Sequence, residues 1–340
     1  MNIAPSRQSL KKAKAVEKAK PAARRRDPLN PTVFHEPWWL EAATAGRYEE
    51  VTVSSGGRTV GRLPYLPRTS FGIQACVMPE LSPFLGPAVD EGNGGTVSRN
   101  LRRGEITRDL IEKLPPCSLH HQRLHRDTPD ALPFMQHGFT AEAVFTYEVA
   151  PDSEEALWLK MRARTHDLVR SAQEQTRLVD LEPEAFRSLY RSHAQKRGKP
   201  DYLDQANALP VFEAALSRGR GRLLGARDAS GNDLAAIFYV WDDDVTYYVL
   251  TTRAPDMQNG VVSRLIWEAM RESAAHGRVF DFAGTGSYGS VLFYAAFGGE
   301  VRPRFLVQRT TPFYGAIRST LARSHEIVTN LKVRRSLGQD

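Results

Sequence analysis

The sequence predicts an α/β fold of two related domains side by side, and three observations carry that expectation. Its 340 residues suit two domains of ordinary size, and 41% hydrophobic with 9% aromatic residues is enough apolar material for packed cores. Strand-like runs alternate with helix-like runs along the chain. The two halves also share one order of elements: a helix, turn-linked strands, a helix, a strand and a final strand.

The elements follow in order. FHEPWWLEAAT (34–44) predicts a short helix, with Pro37 near its first turn and an apolar face. YEEVTVSS, Gly56-Gly57 and RTVGRLPYLP predict two strands joined by a tight turn. Residues 80–100, rich in Pro and Gly, predict a loop. ITRDLIEKL predicts a helix, CSLHHQRL alternates like a strand, and AVFTYEVA (143–150) is a further strand. From Ser153, SEEALWLKMRARTHDLVRSAQEQ has helical periodicity throughout, with Glu154 and Glu155 in its first turn. EPEAFRSLYRSHAQKRG and NALPVFEAALSRG predict two more helices, each ending at Gly. GRLLGARD, LAAIFYVW and VTYYVLTT form a meander, turning at ASGND and DDD. The loop RAPDMQNG leads into the helix VVSRLIWEAMRESAAHG. VFDFAG predicts a buried strand, SYGSVLFYAAFGG a helix and VRPRFLVQR a last strand. The expected organisation is a basic disordered tail over 1–30, domains over 31–150 and 151–312, and a helical tail over 313–340.

Composition limits the function classes. No run of 18 apolar residues is present, which predicts no membrane span. The N-terminus lacks an apolar core with a small-residue cleavage site, which predicts no secretory leader. Cys76 and Cys117 stand without a C-x-x-C, so the sequence implies neither a zinc site nor a disulfide framework, and a cytoplasmic setting is expected. Residues 1–30 hold nine basic and two acidic residues, a net +7 that equals the charge of the whole chain. Such a tail would attract tRNA or an anionic surface, or remain a solvated extension. Residues 31–340 are close to neutral, so charge does not mark the folded part as a nucleic-acid binder.

Gly284, Gly286 and Gly289 have the spacing G-x-G-x-x-G between a strand and a helix. A dinucleotide-binding turn opens its fold and is followed by further strands, with an acidic residue roughly 20 positions on. Here one clear strand remains, and it ends at Gln308-Arg309. The spacing is therefore not a dinucleotide site.

A strand ending in Phe280-Asp281-Phe282, a Gly/Ser/Thr turn and a helix closing with Phe293 and Phe297-Gly298 resemble the last third of FemAB-like acyltransferases. These belong to the GNAT superfamily and include peptidoglycan-bridge ligases and CelD-type acetyltransferases. The basic helix LWLKMRARTHDLVRSAQEQ, the meander, NGVVSRLIWEAM and FHEPWWLEAA extend the resemblance over residues 34–310, most tightly over 157–299. Two positions depart from the pattern: Ala283 stands where an acidic residue is frequent, and Phe293-Tyr294-Ala295-Ala296 where a Lys or Arg is frequent.

The resemblance implies two tandem GNAT-like domains, each a mixed, mostly antiparallel sheet flanked by helices. It implies an N-acyltransferase that takes an acyl group from acyl-CoA, acetyl-CoA above all, or from an acyl-carrier protein. The acceptor would be a small-molecule, glycan or peptide amine in cell-envelope or polysaccharide metabolism, and no metal is expected. VTYYVLTT would offer backbone N–H groups to pantetheine and carbonyl. The helix start at Gln258, Asn259, Gly260, Val261, Val262 and Ser263 would receive the diphosphate. The superfamily loop has a Q/R-x-x-G-x-G/A form, of which Gln258 and one glycine remain, and Asn-Gly also makes an ordinary strand-to-helix turn.

Asp281 faces opposite to Phe280 and Phe282, where it would accept the amine's proton or serve as a structural carboxylate. Tyr247 and Tyr248 face opposite ways; Tyr248 is the candidate hydrogen-bonding partner in the cleft. Tyr288 and Tyr294 would line the acceptor pocket or pack in the core. Arg162 and Arg170, eight residues apart on one basic helix, would hold an acceptor phosphate or carboxylate, or form a solvated face. His120 and His121, adjacent on a strand, diverge and cannot share a metal. Asp242-Asp243-Asp244 reads as a hairpin turn. Two alternatives remain: an aminoacyl-tRNA-dependent peptidyltransferase of peptidoglycan precursors, and a non-catalytic binding protein on the same fold.

Overall fold

The strands follow one another along the chain as β1 (Glu49–Ser55), β2 (Arg58–Ser70), β3 (Ile73–Val77), β4 (Ala88–Val89), β5 (Leu119–Arg123), β6 (Thr140–Val149), β7 (Thr176–Asp180), β8 (Gly221–Asp228), β9 (Asp233–Trp241), β10 (Val245–Arg253), β11 (Val279–Asp281) and β12 (Glu300–Thr310). The helices are α1 (Pro37–Thr44), α2 (Thr96–Glu112), α3 (Leu132–Gln136), α4 (Glu154–Lys160), α5 (Ala163–Gln175), α6 (Pro183–Lys196), α7 (Tyr202–Gln205), α8 (Ala208–Ser217), α9 (Gly260–Ala275) and α10 (Tyr288–Ala295). The computed structural model describes residues 26–70, 72–198, 200–205, 207–255, 260–312 and 314. The basic stretch before Arg26, Gln258, Asn259 and nearly all of the expected C-terminal helical tail lie outside them.

One mixed sheet runs through the whole chain in the order β1-β2-β3-β5-β12-β6-β11-β10-β9-β8-β7, with β4 beside β2. β12, from the C-terminal half, lies between β5 and β6, and β6 pairs on its other edge with β11. Each half therefore contributes a strand to the interior of the other's sheet. Glu148 on β6, Asp281 on β11 and Arg304 on β12 meet at this crossing; Arg304 pairs with both carboxylates, and Thr146 donates to Asp281 at 2.6 Å.

Apolar residues cover both faces of the C-terminal half. On one, α1, α6 and α8 bury Trp39, Phe186 and Phe212 against Phe238 and Tyr247. On the other, α5, α9 and the turn after α10 bury Val169, Leu265 and Phe297 against Tyr239, Tyr248 and Phe282. β9 is accordingly buried on both sides from Ala235 to Val240, as a central strand should be. In the N-terminal half Ile106 and Leu110 of α2 pack on Val53, Val60 and Leu63.

Four expectations need correction. The helical run from Ser153 breaks: α4 ends at Lys160, Met161 and Arg162 are extended, and α5 begins at Ala163. The break fits a crowded contact, because the C-terminus of α4 abuts the end of α10, where Arg162 N–H donates to Ala296 O at 2.9 Å. Residues 80–100 are not all loop, since they hold β4 and the start of α2. Cys76 and Cys117 do not stand apart; parallel pairing of β3 with β5 brings their sulfurs to 2.8 Å. Arg26, placed with the tail by its charge, is anchored to Asp127 and Asp242.

Candidate functional site

β10 and β11 are parallel only over Val245–Tyr247 and Val279–Asp281, and then they part. Such a divergence at the carboxyl ends of neighbouring strands leaves a crevice where open α/β sheets bind ligands. A bulge marks the same place: Tyr248 pairs with Tyr239 and Leu250 with Phe238, so Val249 is an extra residue. The bulge turns Val249 and Leu250 toward the same cleft. Across the gap, Ala283 (φ +56°) and Gly284 (φ +116°) form the turn that leads into α10. Asp281 fixes that turn by accepting Ala283 N–H at 2.7 Å, while Gly284 N–H donates to Thr146. Ser287 and Ser290 then start α10 with a reciprocal capping box.

One face of the gap opens into a cleft of about 510 Å³ between the halves. The C-terminal half lends Val249, Leu250 and Ala283. The N-terminal half lends Val77, His121 and Arg123, where β3 and β5 part in the same manner. Glu80 sits on the wall, held by Arg68 at 2.9 Å and by the Tyr202 hydroxyl at 2.7 Å.

On the opposite face a hollow of about 250 Å³ is lined by Arg162, Arg164 and Thr165 at the start of α5, Ser263 in the first turn of α9, and Gly289 and Leu292 of α10. The start of α5 and the first turn of α9 thus meet beside two guanidinium groups, with the side of α10 as the third wall, an arrangement suited to an anion. Gly260 has a packing reason: a Cβ there would lie 2.8 Å from the Leu168 carbonyl oxygen of α5. Val261, Val262 and Ser263 are buried in the same contact. A larger cavity, about 800 Å³, lies in the N-terminal half, and several charges on its wall pair with one another, Arg26 with Asp127 and Arg103 with Glu91.

The structure separates several residues that the sequence grouped. Arg162 caps α5 at the hollow, whereas Arg170 lies over the Trp158 ring at 5.3 Å. The broken helix removes the shared face expected of them. Asp281 is fully buried in the Arg304 pair, and burial raises its pKa against the opposing pull of Arg304. Tyr248 packs on Phe282 and Tyr294 beneath the splay, and burial raises its hydroxyl's pKa. Tyr294 stacks on Phe282 at 4.4 Å, while Tyr288 is 76% exposed. Asp242 closes its hairpin by accepting the N–H groups of Asp244 and Val245, as expected of a turn. Sequence reasoning missed Glu80, a single carboxylate in a loop, and the bulge at Val249, which has no local signal in VTYYVLTT.

A strand splay with a bulge, between a helix-start hollow and an open cleft, defines a protein built on the GNAT acyltransferase fold. Residues 140–289, from β6 into α10, match the acetyltransferase (GNAT) domain. The crystal structure of FemX superposes with a TM-score of 0.62 at 12% identity, covering 84% of this chain and 95% of that one. The structure of L-PGS from Bacillus licheniformis gives 0.50 at 12% identity, covering 88% and 97%. A conserved protein of unknown function from Bacteroides thetaiotaomicron gives 0.51 at 8% identity, covering 80% and 91%. At these identities the likeness is one of fold. Among curated protein sequences none matches this chain.

Proposed function

We propose that the protein is an N-acyltransferase that moves an acyl group from acyl-CoA, or an acyl-carrier protein, to an amine. The observation that carries this reading is that the Glu80 cleft opens where β10 and β11 part, while the Arg162 hollow lies among α5, α9 and α10, the helices that cover the other face of the same sheet. Arg162 and Arg164, with the starts of α5 and α9, would hold the diphosphate. The pantetheine arm would run between the parted strands toward Val249, whose main-chain N–H would stabilise charge growing on the thioester oxygen. The amine would enter through the cleft, with Glu80 taking its proton directly or through water. Tyr248, kept protonated by burial, would donate to the departing thiolate. Asp281 in this reading positions the Ala283–Gly284 turn and does not exchange protons with the acceptor. The FemAB-like architecture and the open cleft favour a glycan or peptide amine of cell-envelope or polysaccharide metabolism, handled in the cytoplasm.

Calorimetric titration with acetyl-CoA, a long-chain acyl-CoA and free CoA tests the donor. Arg162→Glu should weaken binding at least about tenfold, the loss of one charge-assisted contact, and Arg170→Glu should leave it unchanged. Failure of the wild-type protein to bind any of the three overturns the CoA reading. The charge of residues 1–30 favours a second donor, aminoacyl-tRNA. It predicts salt-dependent tRNA retention that is lost on deleting residues 1–25.

A further inference from the structure

We infer that Cys76, Cys117 and His120 form a binding site for a thiophilic divalent cation of the zinc class, placed where β3 and β5 begin to part. Among the described residues these three have ligand atoms that all lie within 4.8 Å of one another. Both cysteines are free thiols, with sulfurs 2.8 Å apart, and Cys117 Sγ lies 3.1 Å from His120 Nε2. The three positions are fixed by the sheet. Cys76 and His120 are register partners in the parallel pair, and Ser118 N–H donates to Gln74 O at 2.8 Å, which folds the segment carrying Cys117 back against β3. Two sulfurs and one imidazole are the donor set that zinc prefers, at about 2.3 Å for sulfur and about 2.0 Å for nitrogen, so the sulfurs would part by about 1 Å, to about 3.8 Å, to admit it.

A second observation points to the same place. Gln122, two residues on from His120 and on the same face of β5, lines a small closed cavity with Cys76 and His120. It is 7% exposed, its amide nitrogen donates to Pro64 O at 2.8 Å, and its Oε1 has no hydrogen-bond partner among the described residues. That donation fixes the amide's orientation and leaves Oε1 unpartnered in the cavity that Cys76 and His120 line, which makes it the proposed fourth donor of an S₂NO set. Tyr65, its hydroxyl held by Glu49 at 2.8 Å, closes the same cavity. The neighbours of Cys76 and His120, Val77 and His121, line the cleft. A bound cation would thus pin the two strands at the last step before they open to form its wall.

The test uses the full chain, purified under reducing, anaerobic conditions, stripped with a chelator and titrated with Zn²⁺ and, as an optical probe, Co²⁺. Stoichiometric uptake, a thiolate-to-cobalt charge-transfer band with the strong visible bands of tetrahedral cobalt, and protection of both thiols from alkylation are expected. Cys117→Ser, at a half-buried position, should lose the charge-transfer intensity and at least about tenfold in affinity while keeping the wild-type circular dichroism. Gln122→Leu should weaken binding but keep the sulfur bands. A folded wild-type protein that takes up no metal overturns the site, as does cobalt uptake without sulfur bands. Isolation of the chain with a Cys76–Cys117 disulfide that persists under these conditions would also overturn it.

Discussion

Asp281 is completely buried, and its carboxylate faces Arg304, Thr146 and the Ala283 amide. Its removal would leave Arg304, itself 6% exposed, with Glu148 as its remaining buried counter-charge. Asp281→Ala should therefore cost about 3–5 kcal/mol of unfolding free energy, read from urea titration. Unchanged stability with abolished turnover would instead make Asp281 the base that the sequence nominated. The residue scale is where the sequence was most legible in identity and least in role. Alternation correctly set Phe280 and Phe282 against Asp281, because strand geometry is local. What Asp281 faces is supplied by β6 and β12, distant in sequence. Glu80 gave no signal, since a carboxylate in a Pro-rich loop looks the same whether or not a cleft forms beside it.

At the scale of elements, the break between α4 and α5 carries the most functional weight. Both sides of it have helical periodicity, so no local feature announced it; the cause is the close approach of α10. Gly298, just past that helix, has φ +78°, and a Cβ there would lie 2.6 Å from the Lys160 carbonyl oxygen. Gly298→Ala should destabilise the fold by about 1–3 kcal/mol, seen as a lowered Tm. Because Arg162 N–H bonds to Ala296 O in the same contact, the substitution should also weaken CoA binding. Normal donor affinity in a destabilised variant would separate the helix junction from the anion hollow. The strands of the meander, by contrast, were read nearly to the residue, because glycine and aspartate turns delimit β8, β9 and β10 within a short span.

Across the whole molecule, buried imidazoles set the response to acid. His35, His125 and His193 all have pKa values lowered by burial, His193 to about 4 with help from Arg197 and Lys196. His35 shares a hydrogen bond with Thr32 and contacts Gly86 O, while His125 contacts Pro87 O and accepts Asp127 N–H, a bond that a second proton on His125 would displace. Unfolded imidazoles protonate near about pH 6.5, so below that the unfolded state binds more protons. Stability should be full above about pH 6.5 and fall toward about pH 4, by about 1.4 kcal/mol per pH unit for each imidazole still uncharged. Urea midpoints across that range check this, and a flat profile would contradict it. The repeated order of elements was legible in the sequence, but the strand exchange was not, because the pairing of Leu306 with Arg123 leaves no mark in either segment. That exchange also bears on how the chain is made. On the ribosome β5 emerges long before β12, which covers its free edge, so a nascent N-terminal half must wait with a hydrogen-bonding edge unpaired. Synthesis that stops short of β12 should yield a sticky fragment for chaperones or proteases, and not a folded half-protein.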